Sequence, residues 1–540
     1  PQAISRFLSK FSILSVLGIA AVTCFIFYAY WEKSQKSQLE KMIRMALAAV
    51  ILVLAAVLLK TGYLLSQVGI TAMLYLSILF ILNFKISRLS MIVVSVLTIF
   101  EFGYNAYLSQ VTFGYDDVHK FADATVSVKR VTDNIQENAD QKFYRIATDF
   151  AYSRTVPSLV SYPGLSTFSS SLERSTMDHF AFMGDLGVNA ATQYSNGTPL
   201  TDALYGVRYF MSAKDFDPKE IEANPDKMYF YRFTDRFDLH RYFTDKVYED
   251  KRYVVYKNPN SFPLAYGTNS LVRNIQFGAN NAFANQNIIL NSMEGHQKAN
   301  NDTVEYFKPL AFSSIETENV IEEKVNKETG EAIYNRADSS KDAIIRYKVT
   351  PRTNYTYYFF TPVSLIQNQD YSVLLNNKWL LNAKIFTQRQ IWQLTDQTEN
   401  QETVIEFRFR TDHIDMSNAG VYRADVDQIQ QVLENRKKQG LHVTKFSNTH
   451  IVGDVSITDD SNYMMTSIPY SDGWKVKVDG KFVKTEKAWN AFLSFPISKG
   501  NHKVEFVFRQ KGVILGALLS IVSVAYLVIQ MRRSRSDEEQ

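Results

Sequence analysis

The sequence predicts a membrane α-helical protein, with about five transmembrane helices joined to a large extracellular region of α+β and β-sandwich character. Three observations predict it. The stretch Gly512–Gln530 carries no charge over nineteen residues, and Arg532, Arg533 and Arg535 follow it. At about 1.5 Å of rise per residue, such a run just crosses a hydrocarbon core of about 30 Å. Four further apolar runs precede residue 109, and from about Gln110 to Gln510 no run is long enough to span.

The four early runs are Phe11–Tyr30, Met42–Leu59, Leu64–Phe84 and Leu89–Leu108. Four in succession do not fit the single short apolar stretch of a cleaved signal peptide. Lys33, Lys36, Lys41 and Arg44 lie between the first two runs, and Lys85 and Arg88 between the last two. The positive-inside bias places both loops in the cytoplasm and the loop at Lys60–Gly62 outside. The fourth run then delivers the chain outside at Asp116 and Asp117, and the final run returns it to a cytoplasmic C-terminus. Arg6 and Lys10 fall outside in this scheme, and the chain opens Pro1-Gln2-Ala3 without a Met. An odd number of spans with the first end outside is what a piece lacking upstream helices predicts.

The divisions expected are 1–108 for four transmembrane helices, 109–228 for an extracellular mixed α+β domain, and 229–511 for extracellular β-rich modules. The last helix takes 512–530 and a cytoplasmic tail 531–540. In the mixed domain Val128, Val131 and Ile135 share one helical face over Asp123–Gln136, with Asp123 as its cap. Lys142–Asp149 alternates as a strand, Ser170–Leu186 has helical spacing, and Tyr205–Met211 reads as a buried strand. After about Tyr229 short strands take over: Arg252–Tyr256, Ala343–Val349, Tyr355–Phe360 and Thr403–Arg410. Asp479-Gly480 between Trp474–Val478 and Lys481–Val483 predicts a type I′ hairpin, and Asn376-Asn377 a weaker second one. Asp425–Gln439 reads as a helix ended by Gly440.

A formal charge of +4 over 540 residues gives no basis for a nucleic-acid partner. The only cysteine, Cys24, lies in an apolar run, so disulfides cannot hold the exported region, which suits a Gram-positive surface. The sequence has no phosphate-cradling glycine loop, HExxH, CxxC or GxSxG. Asp178-His179 and His413-Ile414-Asp415 each lack a third ligand, so no metal site is assigned. The catalytic candidates are Glu101, an ionisable group inside an apolar run, and Asp116 at the outer flank of that run. Lys142, Arg145 and Arg208 are candidates for binding phosphate along a polymer, against buried pairing of the two arginines. Tyr355, Tyr357 and Phe359 on one face of a strand, with Tyr358 and Phe360 on the other, suit a core as well as a sugar.

Four stretches carry a resemblance: Glu101–Ala106, Phe143–Ile146, Leu204–Phe210 (LYGVRYF), and Ser467–Trp474 with Asp479-Gly480. Ala491–Leu493 and Gly500–Glu505 complete it. In their order and spacing the chain resembles the C-terminal portion of the YfhO family of bacterial multi-pass membrane proteins. The resemblance implies a GT-C type glycosyltransferase that takes sugar from a polyprenyl-phosphate donor at the outer face. It implies lipoteichoic acid or a related wall polymer as acceptor in Gram-positive cells. It also implies catalytic acidic residues, and ligands for any divalent metal, in a longer N-terminal half absent here. Two other readings stay open: a membrane permease component, and a non-enzymatic protein that binds or assembles surface polymer.

Overall fold

The structure is a computed structural model that describes residues 88–113, 118–188, 190–194, 197–214, 231–232, 236–243, 245–278, 281–297, 301–326, 331–352, 355–362, 370–382, 391–395, 401–458 and 461–538. Before these it describes only 42–43, 46–47, 49–51, 53–54 and 75. The chain forms two compact units, Pro1–Asp116 and Asp117–Gln540.

The first unit contributes the helix Arg88–Thr112, of which Met91–Val111 is long and apolar enough to cross a membrane. Val513–Met531, in the C-terminal helix Val513–Glu538, is the other such stretch among the described residues. The expected membrane α-helical class with about five spans is therefore corrected. The described chain is mostly β-sheet with two candidate membrane helices. Hydropathy weights a run by its apolar content, but most of this chain lies in short alternating stretches, which fold as sheet. The expected run Phe11–Tyr30 falls outside the described residues and Leu64–Phe84 nearly so, while the described half of Met42–Leu59 is helical.

The second unit opens with the helix Val118–Glu137, whose Val128, Val131 and Ile135 are buried on one face. It starts earlier than its sequence pattern suggests, because His119 to Ala122 contain no breaker; Asp123 does not cap it and pairs with Arg252 at 2.6 Å. That face packs on a four-stranded sheet in the order Arg145–Thr148, Val207–Ala213, Tyr253–Lys257, Asp245–Glu249, the first pair parallel. Val207–Ala213 is buried along its whole length, as a central strand covered on both faces must be. Its Val207 and Phe210 enter a large core shared with the helices Pro199–Leu204, Ala282–Glu294 and Val426–Lys437.

Two sheets meet over a second core. Ala343–Val349, Thr403–Phe409 and Tyr371–Leu375 face Tyr355–Phe360 and Ile391–Thr395 across it. Tyr357 and Phe359 enter this core while Tyr358 and Phe360 enter the large one, so the aromatic strand is a wall between two interiors. Asn376 and Asn377 both take positive φ, the I′ geometry expected of them. Two further sheets, built around Tyr463–Pro469 with Phe492–Pro496 and His450–Ile457 with Gly500–Phe508, enclose a third core. Asp479 and Gly480 close the Trp474–Val478 to Lys481–Val483 hairpin at φ 50° and 81°. The helix Val426–Lys437 is capped by Asp425, whose side chain accepts from the Gln428 amide at 3.3 Å. Gly440 serves close packing and not a left-handed cap: a Cβ there would meet Pro263 at 2.4 Å.

Candidate functional site

Four elements converge near the end of the first sheet. The loop after helix Val118–Glu137 brings Asp140 and Lys142, and strand Val207–Ala213 places Arg208 near its start. The antiparallel neighbour ends at Lys257, and helix Val426–Lys437 ends at Lys437. A lysine suits that last position because a helix C-terminus carries partial negative charge.

Arg208 donates from Nε to Asp140 Oδ1 at 3.3 Å and from Nη2 to Oδ2, while its Nη1 donates to the Asn258 carbonyl at 2.7 Å. Lys257 Nζ lies 2.9 Å from the same Oδ2. Partial burial alone would raise the Asp140 carboxyl. Hydrogen bonds from Arg208 and Lys257, and their charges, hold it well below the usual carboxylate range. Lys437 donates to the Pro259 carbonyl, and burial followed by the Arg208 charge lowers its ammonium. Two cations thus pair with one carboxylate, with Lys437 bonded to a carbonyl close by.

Beside them lies an open hollow of about 360 Å³, lined by Gln136, Ala139, Asp140, Gln141, Lys142 and Tyr144. Exposed Lys142 directs one N–H to the Thr444 carbonyl. An ammonium has three donors, so Lys142 at the hollow keeps N–H groups for a ligand whereas Arg208 positions Asp140. Surplus positive charge, an open floor and spare donors together suit a phosphate- or carboxylate-bearing chain.

Arg145 faces elsewhere. Its two Nη groups donate to the carbonyls of Tyr205 at 2.6 Å and Ser467 at 2.9 Å, and burial lowers its pKa to about 10. Glu101 is 8% exposed within the helix Arg88–Thr112 and accepts from Asn105 Nδ2 one turn on, at 2.6 Å. Asp116 lies outside the described residues. Asp140, Lys257 and Lys437 escape sequence reasoning because no local pattern links a loop, a strand end and a helix end that meet only in the folded chain.

Among the described residues no three or more His, Cys, Asp or Glu cluster in a way that could hold a metal ion. His179 is fully buried against the Trp489 carbonyl, and exposed His413 lies 3.7 Å from Glu323. A second charged group missed in the sequence is Arg236, whose side chain is 1% exposed. It pairs with Asp202 and Asp238 at 2.7 Å each. Tyr194 also donates to Asp202, and the Asp238 amide donates to Gln393, so this network joins the first sheet region to the middle sheets.

The family described as bacterial membrane protein YfhO matches residues 7–520. An uncharacterized protein YfhO of Bacillus subtilis (strain 168) is 26% identical over 121 residues, which are 22% of this chain and 14% of that relative's length. Among solved structures, a family 35 carbohydrate binding module from Clostridium thermocellum is similar at 14% identity and TM-score 0.15, covering 22% of this chain and 95% of its own. A GH2 beta-galacturonidase from Eisenbergiella tayi bound to galacturonate is similar at 11% identity and TM-score 0.15, covering 38% of this chain and 37% of its own. Structural likenesses this slight carry no argument about the chain.

Proposed function

Because the chain belongs to the YfhO family of bacterial membrane proteins, we propose that it serves a GT-C-like glycosyl transfer onto an anionic surface polymer, lipoteichoic acid or a relative, at the outer membrane face. In this reading Met91–Val111 and Val513–Met531 cross the cell membrane. The β-rich region stands outside the cell and the C-terminus is cytoplasmic.

The observation that carries the proposal is the pairing of Arg208 and Lys257 with Asp140 beside the hollow with Lys142. A teichoic-acid chain presents a phosphate at every repeat, and ammonium groups bind such oxygens as charge-assisted donors. The polymer would be held there while its hydroxyl is glycosylated. In the transfer, the acceptor oxygen bonds to the sugar's anomeric carbon, the bond to the polyprenyl phosphate breaks, and a carboxylate takes the hydroxyl proton. Glu101 and Asp116 are this sequence's candidates for that carboxylate.

A second reading, a non-enzymatic polymer-binding protein, is favoured by the same observation, since the hollow needs no reacting group. Incubating the reconstituted full chain with a polyprenyl-phosphate-linked sugar and lipoteichoic acid separates the two. Sugar gained by the polymer supports the transferase, binding without gain supports the binder, and absence of binding overturns both.

A further inference from the structure

The strand Gly500–Phe508 runs almost directly into the C-terminal helix: only Arg509 to Gly512 intervene before Val513. Even this short link is tied back. The Phe508 amide donates to the Thr449 carbonyl at 2.8 Å, and the Arg509 amide to the Gly473 carbonyl at 2.9 Å. Lys511 Nζ pairs with Asp472 at 2.6 Å, which leaves only Gly512 between that tie and the helix. Four residues reach at most about 14 Å, and one or two reach about 7 Å. A headgroup layer is roughly 5–8 Å thick on each side of the hydrocarbon core. If the helix spans, the loop at Tyr470–Trp474 has nowhere to stand but at that layer.

The side chains at this end suit the position. Trp474 is half-buried against Phe508, with ring centroids 5.1 Å apart, and Tyr470 donates to Asp472 at 3.2 Å. Phe446, which ends a strand at the same edge, is 42% exposed. Lys445, Lys475, Arg509 and Lys511 are exposed around them, against one exposed carboxylate, Asp472. Aromatic rings with polar edges favour the membrane interface, and cations near an anionic leaflet are attracted to its headgroups.

We infer that this end of the C-terminal module, bearing Phe446, Tyr470, Trp474, Lys445, Arg509 and Lys511, is a seat on the bilayer that binds anionic phospholipid headgroups. The inference rests on the helix Val513–Met531 being a span. The seat holds the module at a fixed height above the membrane. It also brings the cationic hollow close to the surface, since Lys142 is bonded to Thr444, two residues from Phe446.

The test uses the full chain with Cys24→Ser and single cysteines carrying an environment-sensitive fluorophore, in nanodiscs with or without phosphatidylglycerol. Ser523→Cys reports on the helix and Asn448→Cys on the seat. Asn501→Cys reports on the far end of the strand Gly500–Phe508, about 23 Å from Phe508 by seven residues of strand rise. Acyl-chain quenchers are expected to quench Ser523, and headgroup quenchers to quench Asn448 at least about threefold more than Asn501, with phosphatidylglycerol enhancing the Asn448 signal. Equal quenching at Asn448 and Asn501 with Ser523 in the chains overturns the seat and leaves the span standing. An Asn448 signal indifferent to phosphatidylglycerol overturns the headgroup recognition. An unquenched Ser523 overturns the span, and the seat with it.

Discussion

Replacing His179 by phenylalanine, and comparing the pH dependence of stability with that of the unaltered chain, isolates one buried titratable group. His179 lies in the helix Arg174–Phe182 with no exposed surface. Its Nδ1 is 3.3 Å from the Trp489 carbonyl, which can only accept, so Nδ1 carries the hydrogen. The rings of Phe492, Tyr205 and Phe277 surround it at 4.7, 5.8 and 5.9 Å. Burial, offset in part by the Trp489 carbonyl, lowers the imidazole from 6.5 to about 4. Between those values the unfolded chain binds a proton that the folded chain refuses. The stability contributed by the neutral ring is therefore complete above the unfolded value and is lost as pH falls through the window. From about pH 7.5 to about pH 5 the loss is about 2 kcal/mol, approaching roughly 3 kcal/mol below about pH 4. The variant lacks this component while every carboxylate contribution remains in both proteins. Urea midpoints of the full chain in detergent, followed by tryptophan fluorescence, measure the difference. The pH-induced fall is expected to be about 2 kcal/mol larger in the unaltered chain. Equal falls would mean that the folded chain does not exclude the proton from His179.

Arg236→Met leaves the buried carboxylates of Asp202 and Asp238 without their cation, and a loss of about 3–5 kcal/mol is expected in the same urea assay. A loss below about 1 kcal/mol would show that the network is not holding these regions together. Gly480→Val forces a β-branched residue to φ 81° in the hairpin turn, and about 1–2 kcal/mol of destabilisation is expected by the same measurement. Asp140→Asn removes the counter-charge of Arg208 and Lys257, so binding of lipoteichoic acid to the reconstituted chain should tighten several-fold and depend more steeply on salt. Calorimetric titration at two salt concentrations checks it, and unchanged affinity would remove the hollow from the account.

Local chemistry made much of the second unit legible. Asp479-Gly480 and Asn376-Asn377 announce their hairpins because few other pairs tolerate two positive φ values. Asp425 announces the helix Val426–Lys437 because its carboxylate meets an orphan amide. Alternation in Tyr355–Phe360 revealed two faces but not that both are buried, since aromatic residues fit either kind of core. The count of membrane helices was overstated for the described chain, because a run of apolar residues states length and polarity alone. Arg208 was visible as a candidate, yet its partners Asp140 and Lys257 were not. The loop and strands that bring them together are joined by register, which no local window contains. Arg145 looked equally suited to phosphate until its neighbours' carbonyls were placed.

The most direct test of the account is the sugar content of lipoteichoic acid from a deletion strain, complemented by the full-length gene with or without Arg208→Gln and Lys257→Gln. Deletion is expected to strip a sugar, with the unaltered gene restoring it and the doubly altered gene restoring little. Polymer sugars unchanged by the deletion would contradict it.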